Sequence, residues 1–126
     1  MAKIAIIEDE PHIQQMYVMK LKAAGYEVAA ADDGQKGLDL IEKFEPDLVL
    51  LDLLMPQMSG QDMLKKLREQ DWGKDLLVII LTNLSQSEAP LDMRLLKVEK
   101  YILKVQYTPQ QVVEIVTEVL KRYKKV

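Results

Sequence analysis

The chain has 126 residues, 48% hydrophobic and 29% charged, with no cysteine and a formal net charge of −3 at pH 7. Those figures predict one domain of ordinary size, able to fold without a disulfide or zinc staple. They exclude a thiolate nucleophile and a cysteine zinc site, and the acidic balance argues against a dedicated nucleic-acid binder.

The opening MAKIAIIEDEP meets acidic residues too soon for a secretory signal. The longest strictly apolar run, Leu76 to Leu81, is far short of the roughly 18 residues of a membrane helix. A cytoplasmic location with no membrane partner is therefore the expectation.

Lys3–Ile7 reads as the first strand and ends in Glu8-Asp9. Pro11 opens a helix over His12–Ala24, with Ile13, Met16, Tyr17, Leu21 and Ala24 at three-to-four spacing, and Gly25 closes it. Glu8 or Asp9 could also cap this helix, and His12, the single histidine, reads as a surface residue of it. Tyr26–Ala30 is the second strand. Asp32, Asp33 and Gly34 form a turn and cap for a helix over Gly34–Phe44, stopped by Pro46. Asp47–Leu51 is the third strand, and Ser59 precedes a helix over Gln61–Gln70. Trp72 is expected to pack against that helix. Leu76–Leu81 is the fourth strand, followed by a helix over about Glu88–Lys97 with Pro90 in its first turn. Glu99–Leu103 is the fifth strand. Thr108, Pro109 and Gln111 spell a capping box for the last helix, whose buried stripe reads Val112, Val116, Val119, Leu120 and Tyr123. The tail KRYKK is the solvated end of that helix.

Five strands alternating with five helices over short connections predict a doubly wound α/β fold with a parallel sheet. The nearly continuous apolar runs fit strands covered on both faces. Ligands of such sheets sit beyond the carboxyl ends of the strands. There stand Glu8 and Asp9, Asp52, Thr82 and Lys104, ending strands one, three, four and five. If strands one and three are neighbours, Glu8, Asp9 and Asp52 converge. Their repulsion then calls for a cation, and an all-oxygen donor set suits Mg²⁺. A hydroxyl and an ammonium beside it complete a phosphate-sized site. No GxxxxGK[ST] or GxGxxG loop is present. The chemistry read from the residues is Mg²⁺-dependent phosphoryl handling.

In this order, IIEDE, LLDLLMPQMSG, LTN and YILK closely resemble the receiver domain of two-component response regulators, over essentially the whole chain. The resemblance implies a flavodoxin-like fold with strand order 2-1-3-4-5 and a single receiver domain over 1–126. It makes Asp52 the phospho-acceptor, loaded from a histidine kinase or phosphotransfer protein. It assigns Mg²⁺ to Glu8, Asp9, Asp52 and the Leu54 backbone carbonyl. Lys104 would pair with Asp52 and then with the phosphoryl group, and Thr82 would hydrogen-bond a phosphoryl oxygen. Tyr101 would swing inward and reshape the face of the fourth helix, fifth strand and fifth helix. The implied protein is a switch rather than an ordinary enzyme, a monomer or a phosphorylation-dependent dimer, with an unidentified protein downstream and no direct nucleic-acid contact.

The chain also departs from the family pattern. Val105 follows Lys104 where a proline with a cis bond is usual, and a cis bond costs more before valine. Asn83 stands where a small residue is common. Lys97-Val98 replaces a Gly-Ala pair, and Pro90 is unusual in its helix. Leu54 is apolar, which the resemblance associates with slow hydrolysis of the aspartyl phosphate. These departures keep three alternatives open: a receiver excised from a longer regulator, a pseudo-receiver that binds partners without phosphotransfer, and a hydrolase of external phosphate esters.

Overall fold

A computed structural model describes residues 1–89 and 91–125. Five strands pair in parallel: β1 (Lys3–Ile7), β2 (Glu27–Ala31), β3 (Leu48–Leu51), β4 (Leu77–Thr82) and β5 (Val98–Leu103), in the order β2-β1-β3-β4-β5. The register sets Ile7 beside Leu51 across β1 and β3, and Leu51 beside Ile80 across β3 and β4. The carboxyl ends of the three central strands therefore lie at one level.

Side chains alternate across the sheet and feed two cores. Ile4 and Ile6, Leu48 and Leu50, and Ile79 and Leu81 pack with α1 (Pro11–Ala23) and α4 (Pro109–Arg122). Ala5 and Ile7, Val49 and Leu51, and Val78 and Ile80 pack with α2 (Gly34–Phe44) and α3 (Gly60–Arg68). Both faces of the sheet are thus covered, which explains why β3 and β4 are buried along their whole length. Each fully buried leucine or isoleucine stabilises by about 1.5–3 kcal/mol, so the core readily carries a few buried charges at its upper edge.

Local chemistry sets the helix ends. Gly25, at φ 99, supplies the left-handed turn after α1. Asp33 accepts from the Lys36 N–H and starts α2, and Ser59 accepts from the Asp62 N–H and starts α3. Thr108 and Gln111 form the capping box of α4. At α1 the capping residue is Glu10, and its side chain makes no cap bond.

Between β4 and β5 the structure differs from the sequence expectation. An α-helix over Glu88–Lys97 is replaced by two 3₁₀ turns, Gln86–Glu88 and Leu91–Leu96, so the described residues hold four α-helices rather than five. Ser85 is one cause: its hydroxyl bonds the Glu88 carboxylate at 2.5 Å, and its carbonyl takes the Glu88 N–H, closing one tight turn. Arg68 is the other. It draws the Leu96 and Lys97 carbonyls to its guanidinium at 2.8 and 3.0 Å, and Lys97 leaves the turn at φ 58. Pro90, expected in the first turn, lies outside the described residues.

Two packing expectations also change. Tyr123 is 45% exposed rather than buried, because its hydroxyl reaches the Glu99 carboxylate at 3.0 Å. Trp72 lines a shallow groove with Ile41, Glu42 and Pro46, so it faces the end of α2 instead of packing on α3. The Lys104–Val105 bond is trans, as no cis peptide occurs among the described residues. Nor is any described helix long and apolar enough to cross a membrane.

Candidate functional site

Glu8 leaves β1 and Asp52 leaves β3 at the same level, because the Asp52 N–H donates to the Ile7 carbonyl at 3.1 Å. Glu8, Asp9 and Asp52 each present a carboxylate oxygen within 4.8 Å of the others. Glu8 is 3% exposed and Asp52 5%. Gly60 lets the loop after β3 close over this floor, since a Cβ there would collide with the Asp52 carbonyl and the Leu53 Cα.

Lys104, the first residue after β5, reaches back across the strand ends. Its ammonium donates to Glu8 Oε1 and to Asp52 Oδ2, the latter at 3.1 Å. The remaining oxygens are partly engaged by backbone: Glu8 Oε2 accepts from Glu10 N–H at 3.1 Å, and Asp52 Oδ1 from Leu54 N–H at 3.1 Å. Burial pushes the Glu8 carboxyl above its usual range. The neighbouring Asp52 charge adds to the push, while the bond from Lys104 opposes it. Burial alone would pull the Lys104 ammonium down, but its bond to Glu8 and the charges of Asp52 and Glu8 outweigh this and hold it above the ordinary lysine value.

Thr82 ends β4 fully buried, and its hydroxyl accepts from the Leu84 N–H at 3.3 Å. Tyr101 lies on β5, with its hydroxyl donating to the Leu84 carbonyl at 2.6 Å. Leu84 therefore joins the two. The Leu54 side chain is 51% exposed at the rim. The structure thus gathers Glu8, Asp9, Asp52 and Lys104 directly, with Thr82, Leu54 and Tyr101 on the flanking strand ends and loops.

Chemically this is a buried, all-oxygen anionic site holding three carboxylates and one ammonium. Hard oxygen donors at such spacing fit a small divalent cation, so these residues could hold a metal. Sequence reasoning missed two neighbours. Gln14 donates its side-chain amide to the Glu8 and Ala31 carbonyls at 2.9 and 3.1 Å. Tyr17 shares a void of about 10 Å³ with Glu8 and Asp52 beneath the site. Gln14 gave no signal, since a polar residue on a surface helix is commonplace, and Tyr17 read only as part of an apolar stripe.

Residues 4–117 match the family model described as response regulator receiver domain. The chain belongs to that family. This receiver is 40% identical over 86 residues to the DNA-binding dual master transcriptional regulator RpaA of Synechocystis sp., covering 68% of this chain and 36% of that protein. It is 32% identical over 123 residues to the probable transcriptional regulator ycf27 of Porphyridium aerugineum, covering 98% of this chain and 50% of the relative. The receiver thus spans a third to a half of the length of these curated relatives. Among solved structures, the chemotaxis protein CheY4 of Vibrio cholerae is 29% identical with a TM-score of 0.87, covering 95% of this chain and 99% of that one. The fold and the place in two-component signalling follow from these matches.

Proposed function

We propose that residues 1–126 form one phospho-accepting switch domain in which Asp52 takes a phosphoryl group from a partner's phosphohistidine. The observation that carries this reading is the Asp52 carboxylate at the end of β3, flanked by Glu8 and Asp9 and held by Lys104. An Asp52 oxygen attacks phosphorus, the P–N bond breaks, and its electron pair stays on the imidazole nitrogen of the donor. Glu8, Asp9, Asp52 and the Leu54 carbonyl would hold Mg²⁺, which when bound offsets negative charge on the transferring group. Lys104 shifts from the carboxylates to the new phosphoryl oxygens, and the Thr82 hydroxyl turns from Leu84 to donate to one of them.

Because Thr82 and Tyr101 both bond Leu84, a turn of the Thr82 hydroxyl disturbs the Tyr101 anchor. That carries a local charge change to the surface formed by residues 84–89, β5 and α4, where a downstream protein docks. The phosphoryl group ends on the protein itself, so the domain acts as a switch and not as an enzyme on an external substrate. The donor is a histidine kinase or phosphotransfer protein. The relatives described as transcriptional regulators support an output in gene control, reached through a protein partner.

The test is intact-protein mass after acetyl phosphate treatment, with and without Mg²⁺, beside Asp52→Asn. One Mg²⁺-dependent phosphoryl adduct, absent from the variant, is the expected result. No adduct in any sample, even at the shortest quench times, would replace this reading with a pseudo-receiver that binds partners without phosphotransfer.

A further inference from the structure

Glu8 and Asp9 are adjacent, so one peptide plane joins them, and the Glu8 carbonyl lies in it. Rotating that plane changes ψ of Glu8 and φ of Asp9 together and re-aims both carboxylates. What fixes the plane therefore fixes the acidic pair. On the other side of Glu8, its N–H donates to the Ala31 carbonyl at 3.1 Å, extending the β1–β2 ladder by one residue. The Glu8 carbonyl has no strand beyond to bond. Gln14 takes that place, its side-chain nitrogen donating to the Glu8 carbonyl at 2.9 Å and to the Ala31 carbonyl at 3.1 Å.

Gln14 is suited to this by chemistry and by position. A primary amide carries two N–H donors in one plane, matching two carbonyls side by side. Its backbone is already fixed, since the Gln14 N–H donates to the Glu10 carbonyl at 2.9 Å in the first turn of α1. The strap thus runs from a rigid helix to the ends of two strands. It also compensates for the missing side-chain cap at Glu10, where nothing else on the capping residue orders the turn. Groups that hold a metal's ligands in place govern its affinity nearly as strongly as the ligands do.

We infer that Gln14 is a positioning residue for cation binding, holding the Glu8–Asp9 peptide so that both carboxylates face Asp52. This rests on the reading of the site as a Mg²⁺ site. Gln14 touches neither the cation nor the phosphoryl group, so its loss acts on affinity and leaves the step at Asp52 intact.

The experiment is a titration with MgCl₂ alone, followed by amide chemical shifts of residues 8–10 and 52, on wild type, Gln14→Leu and Gln14→Met. Gln15→Leu, one residue along the same helix and exposed, serves as the control. The expected result is a Kd about tenfold weaker in both Gln14 variants, with the control unchanged. Acetyl phosphate loading should then show the same maximal rate at saturating Mg²⁺ with a raised half-saturating concentration. A Kd less than about threefold weaker, even with a lowered Tm, would reduce Gln14 to a structural strap and overturn the inference. So would a loading defect that saturating Mg²⁺ does not restore. Wild type without Mg²⁺-dependent shifts would overturn the metal reading along with it, whereas wild-type binding with unchanged Gln14 variants would overturn the inference alone.

Discussion

Lys104 Nζ lies 3.1 Å from Asp52 Oδ2, with the two side chains only 9% and 6% exposed. The same ammonium bonds Glu8, so one lysine neutralises two buried carboxylates that come from different strands. Losing it leaves both uncompensated in a low-dielectric pocket, which is far costlier than the loss of a surface pair. Lys104→Met should therefore lower metal-free stability by about 3 kcal/mol in urea unfolding. Added Mg²⁺ should restore much of that, since a cation among the carboxylates replaces the missing charge. Equal losses with and without Mg²⁺ would contradict this account.

The opposite sign is expected at Asp52. Three carboxylates face one ammonium, so the site is over-supplied with negative charge. Asp52→Asn removes one charge while leaving an oxygen for the Leu54 N–H, and Lys104 keeps Glu8. Metal-free Tm should rise by about 4 °C. A fall in Tm would show that the Lys104–Asp52 attraction outweighs the repulsion from Glu8.

Arg68 has no carboxylate within ion-pair distance among the described residues. Instead it donates to four carbonyls, those of Gly73, Leu76, Leu96 and Lys97, at 2.7 to 3.0 Å. Arg68→Met leaves several of these carbonyls without a partner and should cost about 3 kcal/mol. Hydrogen exchange should quicken at residues 95–98 before it does so in β1 or β3. Uniform quickening across the sheet would argue against a local clamp.

A pH effect is expected at the opposite end of the sheet. Lys97 Nζ bonds Asp75 at 2.9 Å, and that bond together with the lysine charge holds the Asp75 carboxyl below its ordinary range. A depressed folded value means the unfolded chain takes up the proton first as pH falls. The pair's contribution is thus present above the ordinary aspartate value and lost as pH drops through the depressed one. In an NMR titration Asp75 should show a low midpoint, and Lys97→Ala should return it to the ordinary value. A midpoint that ignores the substitution would remove Lys97 as its cause.

Much of this architecture could be read from local patterns. The Thr108–Gln111 box and the Gly25 stop are decided within a few residues, and the structure shows both where spacing put them. Glu8, Asp52, Thr82 and Lys104 were legible because parallel strands bring their carboxyl ends to one edge whatever lies between. The segment after β4 was not legible. Its apolar spacing suits an α-helix, but its shape depends on Arg68, some two dozen residues earlier, capturing the Leu96 and Lys97 carbonyls. Tyr123 misled for a similar reason: its helical spacing points inward, yet the Glu99 carboxylate on β5 draws the phenol to the surface. Nor does periodicity distinguish Gln14 from any other polar residue on α1. Its partners are two carbonyls whose meeting point exists only in three dimensions.

The pairing of Ile7 with Leu51 has a consequence for how the charged edge tolerates change. Sliding β1 by one residue against β3 would carry Glu8 about 3.3 Å along the sheet, beyond reach of its companions. It would also turn every side chain of β1 to the opposite side, exchanging the isoleucines of one core with the alanine and isoleucine of the other. The mismatch of sizes between Ile6 and Ala5 makes such a slip expensive on both sides at once. The acids are thus kept aligned by grease below them: the oily alternation of the strands acts as the ruler, and the charges only read it.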